Sequence, residues 1–516
     1  GYFDFRGGSV IDWMPQSPGS VLMTRSYTQS SATGANISRN DEGIGVDLVD
    51  VTTGTARQVE RPRQDVFHYL TDGNGNLRIM ANRDWNPDAG RLSGVVRYFY
   101  RPAAGGRWEP LTTYDLLSEE GLSIVAVDAA NNRAIGFAKV DGRQAVVSLA
   151  LDGSGTRTTV FAHPQVDVDE VITIGRNQRV VGATFATDRR QAVMTDTRLQ
   201  AMTTSLSRAL GGKNIYIVNT TADESQFLFW AGSDVSPGQY YLYTPAQRQL
   251  RPLLANRPQM AAVTLSPVQS ITYPAADGTM IPAYLTLPPG RTDARGLPAI
   301  VMPHGGPSSR DEWGFDWLSQ YFAQTGYAVI QPNFRGSSGY GDAWYMNNGF
   351  QSWRTSVGDV TDAGRWLVSA QGVDPAKLSI VGWSYGGYAA LQAGVLAPDL
   401  FKSIVAIAPV TDLAQMRQSA LNDATAHLQR AFIGTGPHLT EGSPARNAAA
   451  ITAPVLMFHG NNDQNVDIEQ GRIMQRAMQQ AGHRSELIEY DDLGHSLGTS
   501  EARQDMLTRI SAFLPH

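Results

Sequence analysis

Gly382-Trp383-Ser384-Tyr385-Gly386 is a Gly-x-Ser-x-Gly pentapeptide, preceded by the compact run Lys377 to Val381 and followed by the helix-compatible stretch Tyr388 to Val395. Strand, tight turn and helix in that order are what a nucleophile elbow requires. The glycines permit a strained turn that lifts the serine oxygen clear of its neighbours. A serine hydroxyl is a weak nucleophile alone, so a histidine must take its proton and a carboxylate must fix the histidine's tautomer. Both should follow the serine in chain order, carboxylate first. Among nine histidines, His495 stands directly after the last strand-like run and before the terminal helical stretch. A loop there, at the carboxyl edge of a parallel sheet, would meet the elbow. His483 precedes that strand, His459 ends a run that reads as buried, His516 is terminal, and His68 and His163 belong to the first half of the chain. For the carboxylate, the run Pro454 to Phe458 leads into a loop that presents Asp463 at the same edge, with Asp467 as the nearest rival. An aspartate in such a loop also fits a plain helix cap. Acyl transfer further needs N–H donors aimed at the oxyanion. The N–H of Tyr385, directly after the nucleophile, is one. The other is expected from His304-Gly305-Gly306-Pro307, which follows an earlier strand and whose glycines allow close backbone approach.

These groups must be carried by a sheet, and the second half of the chain reads as one. From Leu297 onward, short β-branched runs alternate with amphipathic stretches, the pattern of a doubly wound, mostly parallel sheet covered on both faces. The expected strands are Ala299 to Met302, Ala328 to Gln331, Leu378 to Val381, Ser403 to Ile407, Val455 to Phe458 and Glu486 to Tyr490. Before them, Gln269 to Leu287 reads as an antiparallel hairpin turning at Asp277-Gly278 and forming the leading edge.

The first half has a different texture. Hairpin-like segments recur at Val46 to Glu60, Val96 to Leu111, Ala145 to Phe161, Ala192 to Leu206 and Gln239 to Leu254, their starts 47 to 50 residues apart. Most turn at pairs such as Thr53-Gly54, Gly105-Gly106 or Asp152-Gly153, and further strands such as Asn132 to Val140 and Asp223 to Trp230 lie between them. About four strands per repeat is the content of a β-propeller blade; an irregular sandwich is the competing architecture. The expected division is a propeller over 1–266 and an α/β domain over 267–516.

Composition narrows the function. The 516 residues include no cysteine, which excludes a thiol nucleophile, a disulfide framework and a cysteine-ligated metal centre. A net charge of −6 without a basic cluster argues against nucleic-acid binding. Apolar stretches such as Ser403 to Ala408 are far too short to span a membrane. No metal or cofactor is needed for the chemistry above. Compartment, cytoplasmic or periplasmic, stays open, as does self-association into a homo-oligomer.

Together, HGGP at 304–307, Asn333-Phe334-Arg335-Gly336-Ser337-Ser338-Gly339-Tyr340-Gly341, GWSYGGY at 382–388, HGNNDQNV at 459–466 and Gly494-His495 resemble the prolyl oligopeptidase family of serine peptidases. The likeness lies closest to its acylaminoacyl-peptidase and dipeptidyl-aminopeptidase branches and runs over Gln269 to His516. It implies an α/β hydrolase preceded by a propeller that restricts access to short peptides. It further implies Ser384, Asp463 and His495 as the triad and the N–H groups of Gly306 and Tyr385 as the oxyanion hole. His304, Gly305, Arg335, Met416 and Asn465 become candidates for substrate contact. Arg335 reads rather as an organiser of the glycine-rich loop, and Met416 serves equally as core. Many oligopeptidases have arginine where Asn465 stands, and asparagine there is similar to the dipeptidyl aminopeptidase pattern. That branch also needs a glutamate pair in the propeller, and only Glu119-Glu120 offers one. Trp353, Asp359 and Trp366 read as packing and capping residues on helices. Five repeats stand where the family usually has seven blades, so residues are expected to be missing from the start of the propeller half. The implied activity is hydrolysis of short peptides through an acyl-enzyme, as an acylaminoacyl peptidase or oligopeptidase. A carboxylesterase, a dipeptidyl aminopeptidase and an inactive interaction protein are the alternatives.

Overall fold

The computed structural model describes residues 8–27, 42–86, 91–102, 106–419 and 426–516. Two compact units divide the chain. One holds the residues up to Thr187 with Gln191–Ala231 and Gly238–Asn256; the other holds Asp188–Arg190, Gly232–Pro237 and Arg257–His516.

The first unit is a β-propeller domain of up-and-down antiparallel sheets. Among the described residues, four sheets have four strands each, starting at Gly8, Val66, Ser123 and Asn214, and a fifth has three, starting at Val168. Within every sheet, strands pair in chain order, because a short turn between consecutive strands allows only the neighbouring antiparallel register. The expected turns at Gly54 and Gly153 have φ of +71° and +81°, a region favouring glycine. Gly105 lies outside the described residues.

One expected hairpin is corrected. Ala192 to Leu206 is the end of a strand followed by an α-helix, Thr197–Ala209. Asp196 caps it, its carboxylate accepting from the N–H groups of Arg198 and Leu199. The helix buries Leu199, Thr203 and Leu206, one face at helical spacing, with Leu199 and Leu206 in one cluster with Val181, Phe227 and Phe229. It occupies the place in the chain where the other sheets have a fourth strand.

The second unit is an α/β hydrolase. Its strands, numbered within this domain, are β1 (Val268–Pro274), β2 (Met280–Thr286), β3 (Ala299–Val301), β4 (Ala328–Pro332), β5 (Leu378–Trp383), β6 (Ser403–Ile407), β7 (Val455–Gly460) and β8 (Ser485–Tyr490). They lie in the order β1-β2-β4-β3-β5-β6-β7-β8, antiparallel for the leading pairs and parallel from β4 onward. The central strands are apolar on both faces because helices cover both. Val301, Ile330, Ile380, Ile404 and Met457 pack on the side of α2 (Trp353–Ser369), α3 (Tyr385–Leu396) and α4 (Glu469–Gln480). Their alternates Ile300, Val329, Val381, Val405 and Phe458 pack on the side of α1 (Trp317–Gln324) and α5 (Ser500–Phe513). Each such side chain, fully buried, contributes about 1.5–3 kcal/mol. That core holds the carboxyl ends of β3, β5, β7 and β8 in fixed relation. The order reverses around β3, and loops at the carboxyl ends there are where such sheets build their sites.

Candidate active site

Ser384 stands between β5 and α3 with φ 60° and ψ −120°, a conformation sparsely used by residues other than glycine. Its N–H still donates to Ile407 O at 2.8 Å, and its carbonyl accepts from Tyr388 N–H at 3.0 Å, so sheet and helix grip it from both sides. The flanking glycines have a steric cause. A Cβ on Gly382 would lie 2.0 Å from Gly386 O, and one on Gly386 would lie 2.1 Å from Pro303 O.

Asp463 follows β7 and is buried. Its Oδ1 accepts from the N–H groups of Asn465 (2.8 Å) and Val466 (3.0 Å), and its Oδ2 accepts from His495 Nδ1–H at 2.7 Å. His459, wholly buried at the end of β7, donates from Nε2 to Val466 O at 2.8 Å and lies 3.4 Å from Asp463 Oδ2. Burial pushes the Asp463 carboxyl up. The hydrogen bonds from His459, His495, Val466 and Asn465 outweigh that and hold it well below the usual carboxylate range. With Nδ1–H given to Asp463, the neutral His495 ring keeps its lone pair on Nε2, the tautomer a general base needs.

The His495 loop is pinned to the elbow. Trp383, next to Ser384, donates its indole N–H to His495 O at 3.0 Å. Asn462 N–H donates to Leu493 O at 3.0 Å, joining the acid loop to the histidine loop.

After β3, a Cβ on Gly305 would lie 3.5 Å from Ser384 Cβ, so this loop runs beside Ser384. Gly306 has φ +125°, which disfavours any side chain. Tyr385 N–H opens α3 and has no acceptor within its own helix. His304 is a brace for this loop: its ring stacks on Phe334 at 4.4 Å, with Nε2 2.8 Å from Ser337 Oγ. Burial lowers its pKa to about 4, which keeps it neutral.

The remaining candidates separate. Arg335 is engaged within the protein. Its guanidinium is held by both oxygens of Asp359, at 2.9 and 2.6 Å, and by Asp277 at 2.5 Å. Asp359 is likewise no cap: it sits inside α2, buried, and serves that arginine. Met416 lies on the helix Leu413–Ser419 and packs, partly buried, on the core. Asn465 is exposed beside Asp463. Glu119, in the propeller domain, is paired with Lys139 at 3.4 Å. The roles of Trp383 and His459 escape sequence reading, because a tryptophan inside the elbow and a histidine ending a strand carry no mark of what they touch.

A cavity of about 350 Å³ opens beside this constellation, lined by Gly305 and His495 from the site and by Trp383, Trp317, Leu318 and Asp311 among others.

The family model for the prolyl oligopeptidase family matches residues 313–516. Dipeptidyl aminopeptidase BIII of Pseudoxanthomonas mexicana is 26% identical over 97% of this chain and 72% of its own length. The acylamino-acid-releasing enzyme of Homo sapiens is 24% identical over 46% of this chain, which is 33% of that enzyme. The acylaminoacyl peptidase of Pyrococcus horikoshii shares the fold, with a TM-score of 0.70 at 15% identity over 96% of this chain and 79% of that one. With the Ser-x-Gly elbow, the Asp–His pair and the glycine loop on one sheet edge, residues 313–516 match the prolyl oligopeptidase family in sequence and in the arrangement of these groups.

Proposed function

We propose that the chain hydrolyses short peptides through an acyl-enzyme formed on Ser384. The observation that carries this reading is the 2.7 Å bond from His495 Nδ1 to Asp463 Oδ2, which leaves Nε2 free to act as base on a loop tied to the elbow. Ser384 Oγ attacks the scissile carbonyl while His495 takes its proton, and Asp463 stabilises the imidazolium that forms. The N–H groups of Tyr385 and Gly306 hold the oxyanion, supported by the positive end of α3. His495 then gives the proton to the leaving amine, and water resolves the ester by the same steps in reverse. The propeller acts as a filter for substrate length, in keeping with the family.

Product analysis by mass spectrometry on a peptide library, each member blocked or free at its amino terminus, tests this. Release of acylated amino acids from blocked peptides supports an acylaminoacyl peptidase. Dipeptides from free termini support the second reading, a dipeptidyl aminopeptidase, which is favoured by one observation: the Pseudoxanthomonas relative of that name aligns over nearly the whole chain. Turnover of p-nitrophenyl esters but not of peptides would replace both with a carboxylesterase. Hydrolysis that persists unchanged in Ser384→Ala would sink the proposal.

A further inference from the structure

The proton returned by His495 goes to the leaving amine, so the residue departing with that amine must lie on the His495 side of the scissile bond. A cavity lies against His495 and is lined by that residue, Gly305 and Trp383. Its walls are of two kinds. Trp317, Trp383 and Leu318 form apolar flanks suited to an alkyl stem. Two carboxyl-bearing residues, Asp311 and Asp316, also line it.

Asp316 is already used. It caps α1, accepting from the N–H groups of Leu318 and Ser319 at 3.1 and 2.7 Å. Asp311 is held in place without being satisfied. Its backbone is clamped by Asn333, whose Oδ1 accepts at 2.8 Å and whose Nδ2 donates at 3.0 Å. Its Oδ1 accepts from Gln331 at 3.2 Å, while its Oδ2 is buried with no hydrogen-bond partner among the described residues.

The neighbouring charges leave it so. Arg503, the cation of the cavity wall, gives its N–H groups to Leu497 O and Ser496 O at 3.1 and 3.0 Å. Glu312 is paired with Arg190, and the Arg310 guanidinium lies over the Tyr340 ring at 4.1 Å, from where its charge favours the Asp311 carboxylate less than burial opposes it. Burial and the charge of Asp316 push the Asp311 pKa up to about 8. A buried carboxyl short of a donor is a costly feature, and a cation brought against it relieves that cost while displacing its proton.

We propose that this cavity is the subsite for the residue immediately after the scissile bond, and that it selects lysine or arginine there, a proposal that rests on the peptidase reading above. The alkyl stem lies along Trp317, Trp383 and Leu318, and the cationic head meets Asp311. The chemistry recognised is a peptide basic on its leaving side.

A matched peptide set tests it, with Ala-Phe before the bond, blocked and unblocked, differing only in the next residue: lysine, arginine, norleucine or glutamate. One charge-assisted contact predicts kcat/KM at least about tenfold higher for lysine and arginine than for norleucine, with glutamate slowest. In Asp311→Asn the lysine-to-norleucine ratio should fall to about one. The wild-type series stands alone if that variant does not fold. Ser384-dependent cleavage that treats the four peptides alike overturns the subsite and leaves the peptidase reading intact. A ratio unchanged in folded Asp311→Asn also overturns it. No Ser384-dependent cleavage of any peptide overturns both.

Discussion

Trp383 donates its indole N–H to the backbone carbonyl of His495 at 3.0 Å, so the residue preceding Ser384 holds the loop that carries His495. Trp383 and His495 come from β5 and the loop after β8, 112 positions apart, and this bond links the elbow and that loop directly. Removing it while keeping an aromatic ring isolates positioning from packing. Trp383→Phe should lower kcat and kcat/KM together by about fivefold on a small ester, because one hydrogen bond is worth about 1 kcal/mol and acts through the base. Stopped assays on p-nitrophenyl acetate, with thermal melts showing an intact fold, check this. A loss confined to KM would assign Trp383 to substrate binding instead.

The strain at Ser384 predicts a trade between stability and activity. At φ 60° and ψ −120° a side chain is disfavoured, by about 1–3 kcal/mol. Ser384→Gly should therefore unfold at higher denaturant concentration than the wild type while losing acylation altogether, whereas Ser384→Ala should be inactive without gaining stability. Urea titrations of the three proteins decide the matter. Equal midpoints for the glycine and alanine variants would show that the elbow costs nothing.

Arg335 is predicted to matter for the fold rather than for substrate. Its bidentate partner Asp359 has a side chain only 1% exposed, so Arg335→Ala strands a buried carboxylate at a cost of about 3–5 kcal/mol. The Asp277 arm contributes little, because that side chain is 53% exposed. Arg335→Lys should recover only part of the loss, lacking the planar fork. Combining Arg335→Ala with Asp359→Ala should cost less than Arg335→Ala alone. Denaturant midpoints give the order, and a double variant as unstable as the sum of the singles would refute it.

His304 and Asp311 predict opposite slopes of stability with pH. His304 has its pKa lowered from 6.5 to about 4 by burial, so between those values the unfolded chain binds a proton that the folded chain does not. Its contribution is complete above pH 6.5 and is lost as pH falls towards 4. Asp311 is raised from 3.8 to about 8, so the folded chain keeps a proton the unfolded chain has released, and stability declines as pH rises across that span. Asp311→Asn should therefore melt higher than the wild type at pH 8, with the gap closing towards pH 4. His304→Gln should flatten the acid side of the wild-type curve. Melting temperatures at unit pH steps measure both, and parallel curves for variant and wild type would contradict the burial of either group.

Much of the catalytic arrangement was legible along the chain because its geometry is local. Gly382 and Gly386 are required by contacts within the elbow and with the neighbouring loop, and the run into Ser384 reads as a strand because both its faces are apolar. Asp463 follows a strand of the same kind and His495 follows the last, edge strand of the parallel series, so their edge could be named without coordinates. The segment Ala192 to Leu206 was misread because β-rich residues outweighed the Asp196 cap and the spacing of Leu199, Thr203 and Leu206 that a helix needs.

By itself the sequence determined the hydrolase sheet, the order of its chemical groups, and the absence of any thiol chemistry. These follow from side-chain periodicity and residue type, which are properties of the chain alone. Tertiary structure decided which neighbours each group has. It committed Arg335 to Asp359, set His459 beside Asp463, tied Trp383 to His495, and left Asp311 Oδ2 buried without a donor among the described residues. Burial and pairing depend on residues tens to more than a hundred positions apart meeting across a packed core, and no local pattern records those meetings.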